Sequence, residues 1–117
     1  MASGTIAQDR NKATGTLAKG VEGGTLTNTA LYKIGNIVSV GGQINSLTSQ
    51  DAGSHTWFTI PDGFRPKEIT RCFGTMNITG VGIEPVMFNV YTNGEVTAGY
   101  SSSKEVTMVN FSATYPI

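Results

Sequence analysis

The 117-residue chain is long enough for one domain with one hydrophobic core, because a fold of this size buries roughly two-thirds of the surface that its unfolded chain exposes. Hydrophobic residues make up 38% of the chain and charged residues only 14%, against an average of about 25% charged, so Ser, Thr, Asn and Gly must supply much of the surface. The 8 basic residues balance the 8 acidic ones and are spaced singly, which argues against nucleic acid as a partner.

The cysteine content and the absence of long apolar segments exclude further classes. The single cysteine, Cys72, rules out an intrachain disulfide and a cysteine-based metal cluster, and we expect it to be a small buried apolar residue. Residues 1–4 lack the charged and apolar parts of a secretory signal, and no stretch approaches the ~20 apolar residues of a membrane helix. We therefore expect no membrane insertion and no bound cofactor or metal.

The N-terminal quarter of the chain is poor in core-forming residues, since residues 1–28 contain no aromatic side chain. Residues 1–14 are expected to form a loose arm, and residues 15–26 one or two irregular edge strands that Gly20 and the Gly23-Gly24 pair interrupt. An alternative is that the arm becomes ordered only against a neighbouring subunit. The predicted division is residues 1–28 for the arm and edge strands, and residues 29–117 for the β-domain.

The strongest hairpin signal lies between residues 30 and 45. Two β-rich runs, residues 30–34 and 37–40, are joined by Gly35-Asn36, a two-residue loop whose members both tolerate positive φ. The second run continues as one strand to Asn45, and in this strand the side chains of Val38, Val40 and Ile44 share one face. The Gly41-Gly42 pair within it predicts a bulge or a strongly bent strand.

The stretch from Thr56 to Pro66 is predicted to be a strand in the middle of the fold, followed by a corner. Residues 56–60 alternate, which places the rings of Trp57 and Phe58 on opposite faces, both of them covered. Pro61 ends the strand because it has no N–H, and Asp62-Gly63 suits a tight turn.

The remaining sequence predicts further antiparallel strands. Residues 68–76 are extended, residues 85–91 and 95–100 form a second hairpin with a type I′ turn at Asn93-Gly94, and residues 106–115 form a closing strand. In that strand Val106 is expected on the face opposite to Phe111. No window has the apolar period of a helix. The predicted fold is therefore all-β, a compact antiparallel sandwich or barrel of seven or eight strands.

The order of these motifs resembles the C-terminal β-domains of tail-fibre, baseplate and receptor-binding proteins of tailed bacteriophages that infect Gram-positive hosts. The resemblance covers roughly residue 31 to the C-terminus. It rests on the strings Tyr-Lys-Ile-Gly-Asn-Ile-Val at residues 32–38 and Phe-Thr-Ile-Pro-Asp-Gly-Phe-Arg-Pro at residues 58–66, followed by Thr-Asn-Gly-Glu-Val at residues 92–96. It implies a homotrimer exposed at the virion tail tip, with other tail or baseplate proteins and a host cell-wall saccharide as partners.

The sequence offers candidates for saccharide binding but none for catalysis. Sugars stack on exposed aromatic rings and hydrogen-bond to neighbouring polar groups, and six residues combine a ring or polar group with a loop position. These candidates are Asp51, His55, Trp57, Tyr91, Asn93 and Tyr100. For Trp57, packing in the core or at a subunit interface is the favoured alternative. The carboxylates are scattered and there is one histidine, so we predict that the chain is not an enzyme.

The sequence favours an assembly of several copies and allows more than one role. Rings on both faces of one strand, with so few charges, leave more apolar surface than one small domain hides, which favours a closed symmetric assembly over a monomer. Besides receptor binding, two alternatives are an architectural spacer without a ligand and, third, an accessory domain that degrades cell wall.

Overall fold

The structure is a computed structural model that describes residues 12–47, 50–51, 54–99 and 105–117. These residues contain no helix and form a single antiparallel sheet curled into a half-barrel, which confirms the predicted all-β fold. The strands are β1 (Lys12–Thr14), β2 (Ala18–Lys19), β3 (Thr25–Ile34), β4 (Ile37–Asn45), β5 (Gln50–Asp51), β6 (His55–Thr59), β7 (Thr70–Ile78), β8 (Gly82–Val90), β9 (Glu95–Ala98) and β10 (Glu105–Pro116). The ten described strands exceed the seven or eight predicted, because β1, β2 and β5 are too short to show an alternating pattern.

The predicted residues 56–60 do not occupy the middle of the sheet, where the neighbouring strands β10 and β7 lie instead. The strand order is β1-β3-β4-β10-β7-β8-β9-β6-β2, with β5 beside the start of β10. The strand over residues 56–60 is confirmed as β6, but it lies next to the two-residue edge strand β2. The last strand enters the sheet between the first hairpin and the β7–β8 pair, so the middle of the sequence is not the middle of the sheet.

The N-terminal region contributes an edge strand and part of the core. Residues 1–11 of the predicted arm lie outside the described residues, while β1 pairs with the end of β3. Leu17 is buried in the core at 3% exposure, just before β2. Gly23 and Gly24 both have positive φ, which agrees with the predicted interruption ahead of β3.

The first hairpin forms as predicted, with its bulge on the other strand. Ile34 pairs with Ile37 across the two-residue loop, where Gly35 has φ +59°. The pairing with β4 shifts between Thr27 and Ala30, so the extra residue belongs to β3 and not to the Gly41-Gly42 pair. Gly42 has a packing role instead, since a Cβ there would lie 2.6 Å from the Leu17 side chain.

The second hairpin has a three-residue loop, and the predicted type I′ turn is wrong. Gly94 N–H donates to the Tyr91 carbonyl, and of the loop residues only Gly94 has positive φ, at +92°. This is a type I turn followed by one left-handed residue, the usual form for three-residue hairpin loops. Type I′ requires positive φ at both central residues, which Asn93 does not have.

The core lies on the concave face of the sheet, where the inward side chains of β3, β4, β6, β7, β8, β9 and β10 meet. All buried side chains of the described residues are hydrophobic, with no buried charged or polar residue among them. The Phe111 ring is central to this core, with the Phe58 and Phe88 ring centroids 4.6 and 5.7 Å from its own. Burial of these rings removes large apolar areas from water, which is the main stabilising term of the fold.

The rings of Trp57 and Phe58 are both fully buried, yet they do not point to opposite faces. The β6–β9 pairing shifts between Thr56, paired with Thr97, and Phe58, paired with Val96. Val96 and Thr97 are adjacent in β9 and face opposite ways, so their partners Phe58 and Thr56 also face opposite ways. Trp57 lies between these partners without a pair of its own, and its side chain turns to the core side together with that of Phe58. The predicted alternation is therefore wrong because a β-bulge interrupts it.

A third bulge, in β10, corrects the predicted faces of the closing strand. From Val109 to Tyr115, every second side chain points into the core, as expected. Val106 was expected on the other face, yet it is fully buried, because the pairing with β7 shifts between Val106 and Met108. The extra residue returns Val106 to the core.

Candidate functional site

The predicted binding residues divide between the two ends of the half-barrel. His55 begins β6 and pairs with Ala98. Thr59 ends β6 and pairs with Glu95, which follows the loop that carries Tyr91 and Asn93. Four residues of strand separate these positions, or about 13 Å. The structure therefore does not bring these six residues together. The backbone of Asp51 lies in β5 but its side chain lies outside the description, as does all of Tyr100.

Trp57 has no surface to offer a ligand. Its side chain is fully buried, and its indole N–H donates to the Ala98 carbonyl over 3.0 Å. His55 is half-buried and packs edge-to-face against this ring at a centroid distance of 4.9 Å. The pair is part of the core and its border, so Trp57 does not serve as a sugar-stacking ring.

Asn93 is exposed, but its amide is engaged within the hairpin. Its Oδ1 accepts from the Glu95 N–H at 3.0 Å, and its Nδ2 donates to Glu95 Oε1 at 2.7 Å. The other carboxylate oxygen of Glu95 accepts from Thr56 Oγ1 at 2.9 Å. The cluster fixes the turn and its neighbouring strand, which is the structural role that such side-chain to backbone bonds have in turns.

The motif at residues 58–66 acts as a corner of the scaffold. Arg65 Nε donates to the Ile60 carbonyl at 3.0 Å, and Lys33 Nζ donates to the Gly63 carbonyl at 3.1 Å. The Tyr115 hydroxyl donates to the Phe64 carbonyl. These bonds tie the segment after β6 to β3 and β10. The residues that carry the resemblance thus hold the fold together.

An exposed apolar stripe runs along the convex face of β7 and β8. It consists of Phe73, Ile83, Pro85 and Met87, and Val81 in the turn between the two strands is exposed beside it. Among the described residues, Phe73 is the most exposed large hydrophobic side chain, at 71%. Phe73 pairs directly with Met87, and Ile83 lies four residues further along the same face. Contiguous apolar patches of this kind on small proteins commonly mark interaction surfaces.

A shallow trough crosses the convex face of β3, β4 and β10, beside the apolar stripe. Its floor is the row Ala30, Gly41 and Ser112, which pair with one another across the three strands and have small side chains or none. Tyr32 pairs with Ser39, and Ser39 pairs with Thr114. This second row of paired residues bounds the floor on one side. The trough has a volume of about 570 Å³, within the range of roughly 300–1,000 Å³ that is usual for small-molecule sites.

Asn28 bounds the trough on its other side and begins a chain of hydrogen-bonded side chains. Asn28 Nδ2 donates to Gln43 Oε1 at 3.1 Å, Gln43 Nε2 donates to Asn45 Oδ1 at 2.7 Å, and Asn45 Nδ2 donates to Thr27 Oγ1 at 2.9 Å. Each amide holds the next in one orientation. The bulge in β3 positions Asn28, whose φ of +51° is one that Asn tolerates better than most residues.

The Tyr32 ring carries a cation on one face. Lys12 Nζ lies 4.8 Å from the ring centroid, which is cation–π geometry. Lys12 belongs to β1, which pairs with the edge of β3 remote from β4. Lys12 therefore approaches from the side away from the trough, and the trough side of the ring stays open.

Neither a metal-binding cluster nor a membrane-spanning helix occurs among the described residues. No group of three His, Cys, Asp or Glu side chains there is placed to hold a metal ion. That part of the chain also has no helix that is long and apolar enough to cross a membrane.

The lone thiol is shielded from water. Cys72 is half-buried against the core, and burial raises the pKa of its thiol from 9.0 to about 11. Its protonated form therefore dominates at neutral pH, unlike the thiolate that a nucleophilic cysteine needs.

Comparison with known proteins gives no independent assignment. No protein-family model and no curated protein matches the chain.

Sequence reasoning missed the residues of the trough. Tyr32 and Gly41 were recognised only as parts of the first hairpin and its motif, and Ser112 only as lying within the closing strand at residues 106–115. Each of β3, β4 and β10 has a run of small or polar outward residues. This pattern predicts the trough only when these strands are known to be neighbours.

Proposed function

We propose that this chain is a structural and adhesive module of a phage tail tip, which assembles as a homotrimer and binds host cell-wall saccharide. The observation that carries the proposal is the apolar stripe on the convex face of β7 and β8, which lies on a domain with very few charges. The motif order quoted above is the support for the viral setting.

The apolar stripe supports assembly from several copies. In a monomer, Phe73, Ile83 and Met87 would all stay in contact with water, at exposures of 71%, 66% and 47%. Burial of such side chains between copies contributes about 25 cal/mol for each Å² removed from water. The formal net charge of zero adds no long-range repulsion between identical chains.

The uncharged polar surface supports a saccharide as the ligand. Asn, Ser and Thr side chains bind sugar hydroxyls without the strong field that phosphates or nucleic acid require. A single shallow site binds weakly, and several identical sites on one particle raise the strength of attachment without any new contact.

The test is binding of the purified chain to cell walls from Gram-positive bacteria. The expected result is retention of the protein on the walls and its release by the soluble wall polysaccharide. Absence of retention on walls from a broad set of such hosts would contradict the adhesive role, and would leave the architectural spacer as the better description. Soluble wall fragments released by the protein would instead indicate the degrading accessory domain.

A further inference from the structure

We infer that the trough over β3, β4 and β10 is a binding site for an uncharged sugar ring, with Tyr32 as its stacking wall. This inference rests on the proposed function, and it places the ligand on residues other than the six loop candidates.

The first argument is the shape of the trough. The floor residues Ala30, Gly41 and Ser112 project little from the sheet, while Tyr32 and Asn28 project more on either side. Tyr32 and Asn28 lie about four positions apart along β3. The backbones of the two walls are therefore roughly 13 Å apart. A single sugar ring can therefore sit above the floor with one face toward Tyr32 and its hydroxyls toward Asn28.

The second argument is the chemistry of the walls. A pyranose has an apolar face that packs on an aromatic ring, and equatorial hydroxyls that need planar donors and acceptors. Tyr32 supplies the ring, and Asn28 supplies an amide whose orientation Gln43 fixes. Asn110 and Ser112 add exposed polar side chains from β10 that make no hydrogen bond within the described part of the chain.

The third argument concerns charge, and it selects neutral sugars over phosphate-bearing polymers. No charged side chain lines the trough among the described residues. The Lys12 ammonium lies against the Tyr32 ring, on the β1 side of β3. A phosphate in the trough would lose water without gaining a paired cation, which is unfavourable.

The trough and the apolar stripe are neighbours on the convex face. Phe73 of the stripe borders Asn110 and Ser112 of β10. Gly41 on β4 and Tyr32 on β3 lie one and two strands further from the stripe, so this part of the trough is the most distant from a contact between copies through β7 and β8.

The experiment is a titration of the isotopically labelled chain, followed by two-dimensional amide NMR. The probes are glucose, galactose, rhamnose and N-acetylglucosamine at millimolar concentration, with glycerol phosphate as the anionic comparison. We expect at least one neutral sugar to shift the amide signals of Ala30, Gly41 and Ser112 while glycerol phosphate leaves them unchanged.

Four variants test the roles of the residues. Ser112→Trp fills the floor and should abolish the shifts, whereas Arg71→Trp adds the same bulk outside the trough, at another exposed position of the convex face, and should not. Tyr32→Ala should weaken binding about three- to tenfold through the loss of ring contact. Tyr32→Phe keeps the ring and should stay within about twofold.

Each outcome separates this inference from the proposed function. Sugar-induced shifts that cluster at His55 or Asn93, or that survive in Ser112→Trp, would overturn the trough as the site and leave saccharide adhesion standing. Shifts caused by glycerol phosphate alone, or by none of the probes while the chain still binds cell walls, would overturn the neutral-sugar assignment. Failure to bind cell walls would overturn the proposed function itself.

Discussion

At the scale of single residues, Gly94 combines a left-handed backbone with a Cβ position that is already occupied by neighbouring atoms. Its φ is +92°, and a Cβ there would lie 2.2 Å from the Ile60 carbonyl oxygen and 2.6 Å from Arg65 Nε. Such distances cannot exist in a folded chain, so a side chain must push the corner at residues 60–65 away from the hairpin. The same crowding explains why glycine follows Asn93 in this loop.

Gly63 provides a matched control for this requirement. Its φ is +93°, almost the same as that of Gly94, but nothing lies within 4 Å of its Cβ position. Gly63→Ala should cost about 1–2 kcal/mol through the left-handed backbone alone. Gly94→Ala should cost roughly 1–3 kcal/mol more, because the hairpin is also overpacked. Urea unfolding followed by circular dichroism measures both, and equal losses in the two variants would show that the crowding at Gly94 is unimportant.

The Cys72 thiol makes stability sensitive to alkaline pH. Burial raises its pKa from 9.0 to about 11, so between these values the unfolded chain releases a proton that the folded chain retains. Stability should therefore be complete below pH 9 and decline as pH rises toward 11. Tyr115 contributes in the same direction, because burial, and to a lesser extent the charge of Cys72, raise its pKa. Unfolding free energies at pH 7, 9 and 10.5 should show this decline, and Cys72→Ala should reduce it. An unchanged decline in the variant would contradict the assignment to Cys72.

At the scale of strands, the pattern of the sequence predicted most elements and missed their irregularities. The hairpin at Gly35-Asn36 and the inward alternation from Val109 to Tyr115 follow from local chemistry and period, and both are confirmed. The bulges at Trp57 and near Thr107 could not be predicted, since a bulge places two neighbouring residues on one face and so contradicts the alternation from which strands are recognised.

The bulge in β6 leads to a prediction for Trp57. The bulge turns the indole into the core, where its N–H donates to the Ala98 carbonyl. Trp57→Phe removes this donor and leaves a cavity, so we expect a loss of about 2–4 kcal/mol. The control is Tyr91→Phe, at a half-buried position beside a turn, which should change stability by less than about 0.5 kcal/mol. A Trp57→Phe loss as small as that of the control would contradict a buried, hydrogen-bonded indole.

The trough is formed by several strands together, so it can be predicted only when the order of the strands in the sheet is known. Its floor joins Gly41 to Ser112, which are far apart in sequence and become neighbours only because β10 pairs with β4. Sequence reasoning favoured loops beside aromatic residues, whereas the structure places an aromatic ring and small polar residues on the face of the sheet. Neither Tyr32 nor Ser112 lies in a loop, so a search of loops could not find them.

At the scale of the whole molecule, the two surfaces have separate tasks in the proposed function. The apolar stripe on β7 and β8 brings copies together, and the polar trough on β3, β4 and β10 faces the ligand. Assembly places several weak sites on one particle, which is how a shallow, uncharged trough can support firm attachment to a cell wall. Loss of either surface should therefore weaken attachment, for different physical reasons.

The most direct test of this account is the mass of the chain in solution, measured by light scattering at micromolar concentration. The account predicts a particle of three times the 12.3 kDa chain mass. It also predicts that Ile83→Glu, at a position 66% exposed in the single chain, gives a folded monomer, because the charge is tolerated in water but not between copies. A mass of 12.3 kDa for the unaltered chain, or a trimer that persists in Ile83→Glu, would contradict assembly through the apolar stripe.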